Sequence, residues 1–236
     1  MNIALVVAGG VGSRMGQDVP KQFLTVYDVP VIIYTLKNIE STGLFDRIFV
    51  VCSKGWEDFI ASYSKQYEVK TFAGTIPCGD TRFQSIFNGI LELMRILNDD
   101  VNVAVVDGNR PLIPHAVFEQ TVQTINEKKC DCVIPLEPCH DSMYLLDGQY
   151  NLFSTNREIL FKGQAPEIAR LKTIYEVFCR ANEEKIYNEP LVALMLKYGK
   201  KVLSVPGSSR SMKITTVEDF LIFKALIEEQ RITQLK

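Results

Sequence analysis

Met1-Asn2-Ile3-Ala4-Leu5-Val6-Val7-Ala8-Gly9-Gly10-Val11-Gly12-Ser13-Arg14-Met15 is the stretch on which the fold turns. Ile3 to Ala8 is apolar without a polar break, which predicts a strand buried on both faces rather than an amphipathic one. Glycines follow at once, and glycine lets backbone approach a ligand and turn its N–H groups inward. Arg14 and Lys21 are the nearby cations, and two cations beside a glycine loop suit a polyphosphate. The standard phosphate-loop pattern GxxxxGK[ST] fits no pair of glycines here, and a GxGxxG pattern begun at Gly10 would put Met15 at its third glycine. On the loop alone, a tight structural turn with Arg14 and Lys21 solvated stays open.

Outward from this stretch, apolar runs alternate with amphipathic ones. Arg47–Cys52, Val69–Phe72, Val101–Asp107, Cys130–Pro135 and 201–205 read as strands. Val31–Ile39, Trp56–Tyr67, Arg82–Ile96, Pro114–Glu127, 170–182, 189–198 and 216–229 read as helices. Such alternation predicts an α/β fold, a Rossmann-like, mostly parallel sheet sandwiched by helices. The rhythm breaks over about 137–165. There Met143-Tyr144-Leu145-Leu146, the turn signal Asp147-Gly148 and Tyr150-Asn151-Leu152-Phe153 predict a β-hairpin. Its apolar residues need cover, and a second subunit is one source. The expectation is a single domain over 1–236 carrying a protruding arm.

The chain has 236 residues, 47% hydrophobic and 23% charged, with a formal net charge of −2. That is globular composition, and it lacks the basic excess of a general nucleic-acid binder. No apolar run reaches the roughly 18 residues a membrane helix needs, and the N-terminus lacks a signal-peptide layout, so the cytoplasm is the expected location. Cys52, Cys78, Cys130, Cys132, Cys139 and Cys179 contain no CxxC pair and are expected to be inert thiols. In a strand, Cys130 and Cys132 would share a face. Neither His115 nor His140 lies in a motif.

Five segments then fall in a telling order. After the glycine loop and Arg14 comes Pro20-Lys21-Gln22-Phe23-Leu24. Gly79-Asp80-Thr81-Arg82-Phe83-Gln84-Ser85, Asp107-Gly108-Asn109-Arg110-Pro111, Arg157 ahead of Gly163-Gln164-Ala165-Pro166, and Lys213-Ile214-Thr215-Thr216 before Glu218-Asp219 complete it. This set resembles the nucleotidyltransferases. It is most similar to the cytidylyltransferase group that includes the methylerythritol-phosphate and ribitol-phosphate enzymes.

The resemblance implies a nucleotidyltransferase-type sheet with an arm used for homodimerisation. It implies an enzyme joining CTP to a phosphorylated alcohol, with Mg²⁺ as cofactor. By the same resemblance, Ala8, Gly9, Gly10, Gly12 and Ser13 wrap the triphosphate, and Gly79, Asp80, Arg82 and Ser85 surround the cytosine. Arg14, Lys21, Arg157 and Lys213 are the catalytic cations, with Arg157 reaching the neighbouring subunit's site. Asp107, Arg110, Arg157 and Lys213 face the acceptor, and Asp107 is the metal ligand. Two plainer readings stand beside these. Arg82 and Ser85 would equally suit an ordinary helix start capped by Asp80. Asp107 would suit a turn before Gly108, although a carboxylate at a strand's C-terminal end is well placed for Mg²⁺.

Ala8-Gly9-Gly10 and Phe161-Lys162-Gly163-Gln164 look more like the ribitol-phosphate branch. That implies a polyol phosphate acceptor such as ribitol 5-phosphate or glycerol phosphate, in cell-wall or capsule synthesis; 2-C-methyl-D-erythritol 4-phosphate is the alternative. The pattern departs on the acceptor side: Val106 replaces a usual His, Ala165-Pro166-Glu167 replaces T-P-Q, and Tyr187-Asn188-Glu189 replaces T-D-[EA]. Losing a hydroxyl at Ala165 and gaining a charge at Glu167 would alter acceptor contacts if those side chains face it. A CTP-binding protein without turnover and a sugar-1-phosphate nucleotidyltransferase using another nucleotide are the rivals.

Overall fold

The computed structural model describes residues 1–10, 19–97 and 101–234. In chain order its strands and helices are β1 (Asn2–Ala8), β2 (Thr25–Val26), β3 (Val29–Pro30), α1 (Val31–Ser41), β4 (Arg47–Cys52), α2 (Glu57–Gln66), β5 (Phe72–Pro77), α3 (Arg82–Ile96), β6 (Asn102–Asp107), α4 (His115–Glu127), β7 (Cys132–Pro138), β8 (Tyr144–Leu146), β9 (Leu152–Ser154), β10 (Phe161–Gly163), β11 (Glu167–Arg170), α5 (Leu171–Glu183), α6 (Leu191–Lys197), β12 (Val202–Pro206) and α7 (Val217–Gln234).

The apolar run at the N-terminus occupies the middle of an eight-stranded sheet ordered β10-β7-β11-β6-β1-β4-β5, with β12 also pairing β7. Its neighbours β4 and β6 are both parallel to it. Side chains alternate across the pleat. Ala4 and Val6 therefore join one apolar layer, with Ile33, Val50 and Phe118, while Ile3 and Leu5 join the other, with Ile86 and Phe178. Burial on both faces is what the unbroken apolar run required.

The sheet is mostly parallel but not wholly so. β11 lies antiparallel between β6 and β7, and β10 is antiparallel to β7. Two strands fall later than their expected positions. The strand expected over Val69–Phe72 forms at Phe72–Pro77, at the edge of the sheet, with Gly74 at φ 138°. Glycine and proline disguise this segment in the sequence, and an edge strand is where both are tolerated. The strand expected over Cys130–Pro135 begins at Cys132, because Cys130 turns back, its N–H donating to the Lys128 carbonyl. Cys130 and Cys132 consequently pack into opposite layers instead of sharing a face.

The expected hairpin is β8 and β9, paired from Tyr144–Ser154 to Leu146–Leu152. Asp147 fixes its turn, accepting from the N–H groups of Gln149 and Asn151. The hairpin residues stand in solvent, with Tyr150 83% and Leu152 69% exposed.

Candidate active site

β1 and β6 end side by side, so their C-terminal residues and the following loops share one end of the sheet, where ligands of open α/β sheets sit. The path of the chain beyond β1 is held by Gln22. Its buried Nε2 donates to the Ala8 carbonyl at 2.6 Å and the Gly10 carbonyl at 2.9 Å. Ser53 Oγ donates to the Gly9 carbonyl at 3.1 Å. A side chain at Gly9 would meet Cys78 Cβ at 2.6 Å, so only glycine lets these two segments approach so closely. Lys21 stands next to Gln22 in a short 3₁₀ turn, Lys21–Phe23. Ala8, Gly9, Gly10 and Lys21 thus converge on one cavity of about 460 Å³. Gly12, Ser13 and Arg14 lie outside the described residues.

The far wall of that cavity is the start of α3. Gly79, Asp80, Arg82 and Ser85 all line it. The helix is capped by Thr81, whose hydroxyl accepts from Gln84 N–H at 3.1 Å; the expected cap, Asp80, is one residue too early. Ser85 Oγ donates to the Thr81 carbonyl at 2.8 Å and accepts from Gly79 N–H at 3.2 Å, so it ties the glycine turn onto the helix.

Asp107 is the electrostatic centre. Arg82 approaches its Oδ1 at 3.3 Å, and Arg110 Nε and Lys213 Nζ approach its Oδ2, each at 3.1 Å. Burial alone would raise the carboxyl's pKa. The charges of Arg82, Lys213 and Arg110, with the Lys213 hydrogen bond, outweigh burial and hold it far below the usual carboxylate range. Lys213 arrives from a distant part of the chain and is fastened there. Ile214 N–H donates to the Asn109 carbonyl at 3.0 Å, the Asn109 amide returns a bond to the Ile214 carbonyl, and Arg110 bonds the Ser211 carbonyl.

A second cavity, of about 260 Å³, opens on the other side of this cluster. Arg82, Asp107 and Lys213 line both cavities, so the two chambers share a wall of one carboxylate and two cations. Arg110, Glu167 and the segment from Tyr187 to Pro190 complete the second chamber. The Glu167 side chain accepts from the Val192 N–H in the first turn of α6, and burial raises its pKa. Its Oε2 is closed to solvent and has no hydrogen-bond partner among the described residues. Ala165 lines neither chamber and is buried in an apolar layer, whereas Glu167, Asn188 and Glu189 do face the second one.

Arg157 stands apart from the other sequence-chosen cations. It lies beside the arm, its guanidinium donates to the His140 carbonyl at 3.1 Å, and it lines neither chamber. The sequence reading passed over Gln22 and Asn109 as site-builders. Both are buried amides, and only the fold brings them to the carbonyls they grip.

Magnesium does not fit on Asp107 in this arrangement. Both carboxylate oxygens are engaged by cations. A dication there would face three positive groups at contact range.

Known proteins resemble this chain over nearly its whole length. Over its full length the chain is 35% identical to a ribitol-5-phosphate cytidylyltransferase of Vibrio parahaemolyticus, of which it covers 99%. It is 30% identical to a 2-C-methyl-D-erythritol 4-phosphate cytidylyltransferase of Syntrophotalea carbinolica, with 95% of each chain covered. The solved structure of 4-diphosphocytidyl-2C-methyl-D-erythritol synthase from Anaerococcus prevotii superposes with a TM-score of 0.82 at 24% identity, over 97% of this chain and 98% of that one, which speaks for the fold. The family model described as IspD, 2-C-methyl-D-erythritol 4-phosphate cytidylyltransferase, matches residues 2–229, and the chain belongs to this family of cytidylyltransferases.

Proposed function

We propose that the chain transfers CMP from CTP to a polyol phosphate, ribitol 5-phosphate being the first candidate, with release of pyrophosphate. The observation that carries this reading is the wall of Arg82, Asp107 and Lys213 common to both chambers. CTP occupies the chamber of the glycine loop, with its base toward Gly79–Ser85 and its phosphates toward Lys21. The acceptor occupies the smaller chamber, its phosphate toward Lys213 and Arg110. Where the two chambers meet, beside Arg82, Asp107 and Lys213, a phosphate oxygen of the acceptor attacks the α-phosphorus of CTP. The bond from that phosphorus to the bridging oxygen breaks, and its electron pair leaves with pyrophosphate. A phosphate monoester is already anionic near neutral pH, so the step needs placement and neutralisation of charge more than a general base.

Polyol phosphate is preferred because the Vibrio parahaemolyticus relative carries the ribitol-5-phosphate name at full-length coverage. The family description and the Syntrophotalea carbinolica relative favour 2-C-methyl-D-erythritol 4-phosphate as the second reading. The proposal extends to Mg²⁺ arriving with CTP as its counter-ion, to the cytoplasm as the place of action, to supply of a surface polymer, and to a homodimer formed through the exposed β8–β9 arm. Arg157, set beside that arm, then serves the partner's site.

Pyrophosphate release from CTP tests the reading against ribitol 5-phosphate, glycerol 3-phosphate, erythritol 4-phosphate and 2-C-methyl-D-erythritol 4-phosphate. Strong turnover with an unbranched polyol phosphate is the expected result. Preference for the methyl-branched acceptor selects the second reading, and UTP, GTP or ATP outperforming CTP overturns the base assignment.

A further inference from the structure

The Lys213 side chain is 34% exposed, so burial does not hold its ammonium against Asp107. Its place is set by the backbone that carries it, the loop 207–212 between the end of β12 and Lys213 itself. Arg110 and Asn109 fasten the end of this loop nearest the charge cluster. The other end is gripped by Gln164, which lines neither chamber.

Gln164 follows β10, and its buried side chain forks onto one residue of the loop. Ser208 N–H donates to Gln164 Oε1 at 2.9 Å, and Gln164 Nε2 donates back to the Ser208 carbonyl at 2.9 Å. Nε2 also donates to Glu137 Oε2 at 2.9 Å. A donor and an acceptor paired with a single backbone residue fix its direction as well as its distance, which an apolar side chain of the same length could not do. The contact has no slack: a Cβ on Gly207 would stand 2.5 Å from Gln164 Oε1 and 3.0 Å from the Leu136 carbonyl carbon. From Ser208 the bonds run on to the cluster. Ser211 N–H donates to the Ser208 carbonyl at 2.9 Å, and Arg110, which pairs with Asp107, bonds the Ser211 carbonyl. Glu137 and Gln164 stand on the two legs of the arm, where β7 leaves the sheet and β10 returns to it. We propose that Gln164 is a positioning residue for the transfer: it ties the root of the arm to the loop 207–212 and so sets where Lys213 stands against the acceptor's phosphate. This rests on the reading above, in which that phosphate meets Lys213, and adds a residue that touches neither substrate.

Gln164→Met keeps the length of the side chain and removes the fork. The measurements are kcat and KM for ribitol 5-phosphate, or for whichever acceptor of the panel above turns over best, at a temperature where the variant is folded. Calorimetry gives the CTP Kd, and amide hydrogen exchange follows the loop. A fall in kcat/KM of about 10- to 100-fold is expected, since a shift of about 1 Å in a catalytic group costs that much. The CTP Kd should stay within about threefold of wild type. Exchange should quicken over 206–214 and stay unchanged in β1 and α3. A role in stability alone would lower the melting temperature and leave kcat and KM as they are in the folded protein. Gly207→Ala pushes a methyl group into the same contact from the loop side and is expected to give the same pattern; it decides the matter if Gln164→Met does not fold. Unchanged kcat/KM in a folded variant overturns the inference. So does a CTP Kd that weakens as much as kcat/KM falls, and so does failure of both variants to fold, which would assign the contact to the fold. A wild-type protein that turns over no acceptor of the panel defeats the transfer reading instead, and the inference falls with it.

Discussion

Asn109 and Ile214 are tied to each other twice: Ile214 N–H donates to the Asn109 carbonyl, and the Asn109 side-chain amide donates to the Ile214 carbonyl. The pair staples the residue after Lys213 to the loop after Asp107. It explains how a cation far along the chain comes to rest on a carboxylate at the end of β6. Asn109→Ala strands a buried carbonyl, a loss of about 1–3 kcal/mol. It also frees Lys213 to drift, so kcat/KM should fall about 10- to 100-fold. Chemical denaturation and steady-state kinetics read the two effects. Full activity in a destabilised Asn109→Ala protein would show that the staple supports the fold alone.

Lys21→Ala should reduce kcat by about 10²–10³-fold and weaken CTP binding far less, because the ammonium acts chiefly on charge that grows during transfer. Calorimetric titration with CTP beside turnover measurements separates the effects. A large rise in CTP Kd with kcat nearly unchanged would make Lys21 a ground-state anchor.

Asp107→Asn leaves Arg82, Arg110 and Lys213 crowded without their common counter-charge. Breaking a buried pair costs roughly 3–5 kcal/mol, and the value here belongs at or below the low end because the Arg82 and Lys213 side chains are 40% and 34% exposed. The folded-state pKa is depressed, so the wild-type carboxylate's stabilisation is fully present above its unfolded value of about 3.9 and is lost as pH falls toward the folded value. The stability gap between wild type and Asp107→Asn should therefore stay level from pH 7 to 5 and narrow below about pH 4. A gap that closes already between pH 7 and 5 would contradict the charge cluster.

The arm gives a test of assembly. Sedimentation should show a dimer for the wild-type chain and a monomer for Leu145→Asp with Phe153→Asp, two exposed positions of β8 and β9. Inactive Arg157→Ala and Lys213→Ala subunits, mixed and re-associated, should regain about a quarter of wild-type activity if each site borrows Arg157 across a two-fold axis. No recovery on mixing would place Arg157 outside the partner's site.

The central strands were legible because burial on both faces writes itself as an unbroken apolar run, as in Arg47–Cys52; the helix Arg82–Ile96 was legible from its apolar spacing. β5 and β11 were not. The first is an edge strand interrupted by Gly74, and the second is four residues long, too short to display a period. The nucleotide-side residues could be picked out because glycines and cations cluster in sequence. Gln22 and Asn109 act through backbone groups 12 and 105 residues away, and nothing local in the sequence announces such a partner. The open question at Ala165 is answered by the fold in the same way: this position faces the core, while Glu167, two residues on, lines the second chamber.

Because Arg82, Asp107 and Lys213 line both chambers, a nucleotide in one and a polyol phosphate in the other would lie side by side. A single compound built from a cytidine end and a polyol phosphate end would need almost no tether, so joining the halves wastes little freedom and each half raises the local concentration of the other. Such a compound would owe its grip on the nucleotide end to features formed by β1 and α3. Its choice among related enzymes would come from the other end, in the chamber lined by Arg110 and Asn188.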